Sequence, residues 1–107
     1  MNDIFKNRKT HILDQKTPRK NTTEKGWLRK TIDDTGFLHG TDDNPALILS
    51  SGCEYYYKHG FLHILSGAAI IEPSGDEKYY IEGNFIESKK EFIRITRLLK
   101  LQSLDIF

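Results

Sequence analysis

A chain of 107 residues with 37% hydrophobic and 11% aromatic content has room for one domain and one modest core. No apolar run reaches the roughly 20 residues of a membrane span, the N-terminus lacks the apolar stretch of a secretory signal, and the single cysteine, Cys53, rules out an internal disulfide and points to a reducing cytosol. The net charge of +1 hides an imbalance: residues 1–30 carry nine Lys and Arg against three Asp and Glu, whereas residues 31–107 carry seven against twelve.

Residues 1–25 read as an irregular basic arm, with Thr17-Pro18 interrupting any regular run. Such an arm either stays solvated or folds back on the acidic remainder of the chain, or it reaches phosphate or an acidic partner through Lys6, Arg8, Lys9, Arg19 and Lys20. Only Phe5 and Trp27 lie near these cations, fewer aromatic platforms than a nucleic-acid groove usually interleaves.

From residue 26 the pattern predicts strands. Trp27 to Ile32 reads as the first, stopped by Asp33-Asp34-Thr35-Gly36. Two similar stretches follow. Gly36-Phe37-Leu38-His39 recurs as Gly60-Phe61-Leu62-His63, and Ser51-Gly52-Cys53-Glu54-Tyr55-Tyr56-Tyr57 recurs as Ser74-Gly75-Asp76-Glu77-Lys78-Tyr79-Tyr80. Such a period marks stacked supersecondary units. β-Branched and aromatic residues place strands at 37–39, 46–49, 53–58, 61–64, 68–72 and 77–81, joined by glycine-containing turns. Turns this short between antiparallel strands make a meander.

The period changes at Ser88-Lys89-Lys90-Glu91, a capping box that opens a helix over about 88–104. Phe92, Ile95, Leu98, Leu99 and Ile106 share one side, and Lys89, Lys90, Arg94, Arg97 and Lys100 the other. Ile93, Leu101 and Leu104 fall on the basic side, where they need cover from the same chain or from a partner. The fold class expected is therefore α+β: an antiparallel β-meander of repeated hairpins capped by one C-terminal helix, with arm 1–25 and domain 26–107.

At the repeat the chain resembles MORN-like repeat proteins of bacterial and phage type, built on Gly-x-Leu-His, Gly-Pro-Ala and Tyr-Tyr elements. The matching positions are Gly36, Leu38, His39, Asn44-Pro45-Ala46, Gly52, Tyr56-Tyr57 and Gly60, then Leu62, His63, Gly67-Ala68-Ala69, Gly75, Tyr79-Tyr80 and Gly83. The likeness spans about residues 26–100. It implies a hairpin array with a helical end, and a role like that of antitoxins, immunity proteins or phage accessory proteins.

The sequence offers little for catalysis. No phosphate-cradling glycine loop and no zinc-protease signature occurs. His39 and His63 hold equivalent places, which suits a hydrogen bond to a neighbouring turn, and Cys53 stands off the ligand spacing that His59 and His63 would need. Glu54 beside Cys53 disfavours a reactive thiolate. Asp33-Asp34 and Asp42-Asp43 suit turns. No enzyme activity, metal or cofactor is expected. Strand alternation sends Tyr55 and Tyr57 one way and Tyr56 the other, so one set forms core and the other a ladder of exposed rings. The expected protein-binding residues are Tyr55, Tyr57, Lys78, Ile93 and Leu101. The expectation is a cytoplasmic, non-catalytic inhibitor of a protein target; nucleic acid binding through the arm and a homo-oligomer stay open.

Overall fold

Tight turns set the chain path. The computed structural model describes residues 14–21 and 26–104, with side chains as far as Leu101. β1 (Trp27–Lys30) pairs with β2 (Leu47–Leu49), which returns through Ser50-Ser51-Gly52 to β3 (Glu54–Tyr55). β4 (Tyr57–Lys58) and β5 (Phe61–Leu62) form a separate ribbon, and β6 (Ile70–Ile71) then comes back to pair with β3. β7 (Glu77–Ile81) and β8 (Asn84–Ile86) complete a six-stranded sheet of order β1-β2-β3-β6-β7-β8, antiparallel throughout. The helix α1 (Lys89–Leu104) follows.

This differs from a simple meander at one point. The stretch expected as one strand over 53–58 breaks at Tyr56, whose N–H donates to the Ala69 carbonyl at 2.8 Å and whose carbonyl accepts the His63 N–H at 3.0 Å. β3 thus stays in the large sheet while β4 turns away with β5. Asn84–Ile86, outside the strands expected from the sequence, forms the edge strand β8.

The same bonds recur 23 residues apart. Leu49 N–H meets the Cys53 carbonyl and Gly52 N–H meets the Leu49 carbonyl; Glu72 with Asp76 and Gly75 with Glu72 do likewise, all at 2.9 Å. Ala46 N–H donates to Tyr55 and Ala69 N–H to Lys78, at 3.0 and 2.9 Å. His59-Gly60 and Glu82-Gly83 have φ of 49° and 88°, and of 50° and 81°, the paired left-handed geometry of a type I′ hairpin turn. Part of the pattern occurs once more upstream: Thr31 N–H donates to Ala46 and His39 N–H to Thr31, as Tyr56 N–H does to Ala69 and His63 N–H to Tyr56.

Two apolar clusters share β7. Leu38, Leu47, Tyr57, Leu62, Ile64 and Tyr80 lie in the first, and Tyr79, Ile81, Ile86, Phe92 and Ile95 in the second. Alternation along β7 sends Tyr80 to one face and Tyr79 with Ile81 to the other, so this strand is buried on both sides. The helix covers the second face, with the Phe92 ring 4.8 Å from that of Tyr79. Half of the expected capping box forms at its start: the Ser88 hydroxyl accepts the Glu91 N–H at 3.1 Å. The Glu91 carboxylate is turned to Arg94.

Candidate functional site

The described part of the arm, residues 14–21, is irregular and lies across three turns of the body. Asn21, Arg19 and Gln15 donate their backbone N–H groups to the carbonyls of Gly36, Gly60 and Gly83, at 2.8, 2.7 and 2.7 Å. In return the Leu38 N–H donates to the Arg19 carbonyl at 3.0 Å, the Leu62 N–H to Gln15 Oε1 at 2.7 Å, and the Phe85 N–H to Asp14 Oδ1 at 2.8 Å. The arm is therefore a strap on its own body here. Arg19, expected to be offered to phosphate or a partner, donates from Nη1 to the Tyr57 hydroxyl at 3.1 Å and lies over that ring. Lys20 bridges to Phe37 through its backbone, and its side chain is exposed. Lys6, Arg8 and Lys9 lie outside the described residues.

The tyrosines require a correction. Tyr57 is 5% exposed and belongs to the first cluster, and Tyr55 stacks beside it with ring centroids 6.3 Å apart and half-buried. Tyr56 is half-buried too, and Tyr79 and Tyr80 are buried. No exposed tyrosine ladder exists among the described residues. Tyr55 and Tyr57 do point the same way, as their stacked rings show, but theirs is the set that packs in the first cluster, and the strap covers the Tyr57 hydroxyl.

The histidines hold turns. His39 Nδ1 accepts the His59 N–H at 3.0 Å, and His63 Nδ1 accepts the Glu82 N–H at 2.9 Å, which places the proton of each neutral ring on Nε2. Burial and then Lys58 push the His63 pKa down, favouring the neutral ring that this bond needs. His59 donates from Nδ1 to Asp33 Oδ2 at 2.8 Å. That bond holds the Asp33 carboxyl well below the usual range against its desolvation, helped by the Phe37 and Thr35 N–H groups and the Thr35 hydroxyl. A concavity of about 410 Å³ opens beside His39 and His63, lined also by Asp42, Tyr57 and Lys58. Among the described residues no group of three His, Cys, Asp or Glu side chains is placed to hold a metal ion.

The other expected binding residues separate. Lys78 is half-buried on β7, paired opposite Ile70. Ile93 and Leu101 stand together on the outer side of α1, 45% and 52% exposed. Leu98, placed by periodicity on the core side, is 37% exposed and joins them. The three line a groove of about 400 Å³ whose rim carries Lys90, Glu91, Arg94 and Arg97. Three residues beyond Leu98 along a helix is a neighbouring position, so the spacing to Leu101 was the available signal for this cluster. Nothing in the sequence marked Asp14 or Gln15 as contact residues.

Among the described residues no helix is long and apolar enough to cross a membrane. Compared with protein-family models, curated proteins and solved structures, the chain returns no match.

Proposed function

We propose that this chain is a non-catalytic, cytoplasmic binding protein that inhibits or neutralises a protein target, in the manner of an antitoxin, an immunity protein or a phage anti-defence protein. The observation that carries the reading is the helix groove: Ile93, Leu98 and Leu101 exposed side by side, with Lys90, Arg97 and the Glu91–Arg94 ion pair around them. Apolar side chains in a rim of net positive charge suit an acidic amphipathic segment of the target, its apolar residues seated in the groove and its carboxylates on Lys90 and Arg97. The capture of Arg19 by Tyr57 weighs against phosphate contacts from the described arm. The same reading takes residues 36–59 and 60–83 as two copies of one MORN-like unit; its support is the recurrence of turn and strand bonds 23 residues apart.

Affinity capture from host lysate with the intact protein and with the Ile93→Asp/Leu101→Asp variant tests the function. The expected result is one protein partner that survives moderate salt and is lost with the variant. Recovery of nucleic acid alone, with binding that collapses as salt rises, rejects the reading. So does a partner retained in full by a correctly folded variant.

A further inference from the structure

The three turns beneath the strap present one repeated pair of groups. Each offers a glycine carbonyl, at Gly36, Gly60 or Gly83, and an N–H two residues further on, at Leu38, Leu62 or Phe85. Leu38 and Leu62 have their side chains in the core, so the row of backbone groups belongs to the body and not to the strap. The strap closes on it closely. A Cβ on Gly60 would stand 2.6 Å from Pro18 Cβ and 2.9 Å from Arg19 N, and one on Gly83 would stand 2.9 Å from the Gln15 carbonyl oxygen.

What lies on this row is polar. Residues 14–21 include no buried residue, so hydrogen bonds hold them more than apolar burial does. Each such bond adds only modestly to stability, and a segment held in this way belongs to the class that opens locally. Two side chains give it specificity. The Gln15 carboxamide takes both groups of the middle turn: Nε2 donates to the Gly60 carbonyl at 2.6 Å while Oε1 accepts the Leu62 N–H at 2.7 Å. Arg19, four residues on, reaches the hydroxyl and the face of Tyr57.

We propose that this row of turns is a recognition site for an extended peptide segment of a partner, one with a glutamine and, four residues toward its C-terminus, an arginine, and that residues 14–21 are a copy of that ligand bound in cis. The mode is strand-like: backbone groups give affinity, and two side-chain positions give selection. The cis copy acts as a competitor whose tether gives it an effective concentration in the millimolar range.

The full-length Gln15→Ala/Arg19→Ala variant loosens the strap and leaves the row and Tyr57 intact. A fluorescein-labelled octapeptide of residues Asp14 to Asn21 is expected to bind this variant at least tenfold more tightly than it binds the wild type. The same peptide with alanine for both glutamine and arginine is expected to lose at least tenfold. Equal binding of the two peptides, or no binding to a folded variant, overturns the proposal. If the variant does not fold, amide exchange in the wild type decides: Leu38, Leu62 and Phe85 are expected to exchange together through an opening well short of global unfolding. Exchange of these three only by global unfolding overturns it.

Discussion

Two residues with left-handed backbone, His59 and Glu82, begin the tight turns, and each is followed by glycine. A non-glycine side chain in that region costs roughly 1–2 kcal/mol unless it is Asn or Asp, which adopt it readily. Glu82 is exposed. Glu82→Asn is therefore expected to stabilise the protein by about 0.5–1 kcal/mol, read as a higher denaturant midpoint at unchanged slope. Asp33 makes an opposite case. Its folded-state carboxyl ionises more readily than in the unfolded chain, because His59 and then the local N–H groups favour the anion. The unfolded state thus binds more protons once pH nears the ordinary Asp value of ~3.9, and the stabilisation is present above that pH and lost below it. Asp33→Asn is expected to lower the Tm at pH 7, with the gap to wild type closing as pH falls below ~4. A gap that is constant across this range contradicts the assignment. These turn residues were legible because Gly and Asp act locally. The burial of the Tyr57 ring was not, since strand alternation pairs Tyr55 with Tyr57 but reveals neither which face is core nor an arginine arriving from residue 19.

At the scale of elements, α1 has two apolar sides with different roles. Ile95 is 2% exposed against the sheet, while Ile93 faces out. Ile95→Ala is expected to cost about 2–4 kcal/mol and Ile93→Ala less than about 0.5 kcal/mol, in chemical denaturation of the two variants side by side. Similar costs would mean that Ile93 is packed and the groove does not stand open. The capped start of this helix was readable at Ser88, because the cap bond spans three residues. The assignment of Leu98 failed because a stripe of period 3.6 predicts a facing side but not how far the neighbouring sheet extends beneath it. The hairpins at 46–55 and 69–78 were readable for the same local reason as the cap. Strand β8 was missed because Asn84-Phe85-Ile86 is too short to show alternation, and Asp14, 71 residues away in sequence, satisfies its Phe85 N–H.

Across the described residues, turn and strand bonds recur 23 residues apart, part of them occurs once more upstream, and the strap ties the three places together. Sequence likeness exposed two of the places, through Gly-x-Leu-His and the paired tyrosines. The third, over residues 27–39, was hidden because side chains there differ while two of the bonds recur; Thr31 stands where Tyr56 stands in the next segment. The strap itself was one of two readings of the arm's charge. Its hold is geometric as much as electrostatic, since glycine carbonyls and a carboxamide make most of the bonds described for it. The two surfaces proposed for recognition are the helix groove and the row of turns beneath the strap.

The central structural claim is that residues 14–21 lie across Gly36, Gly60 and Gly83 in solution. Scalar couplings across hydrogen bonds, measured by NMR on the isotope-labelled full chain, test it most directly. Three correlations are expected, from the amide nitrogens of Asn21, Arg19 and Gln15 to the carbonyl carbons of Gly36, Gly60 and Gly83. Random-coil shifts for all three amides, with no coupling to any of these glycines, would contradict it.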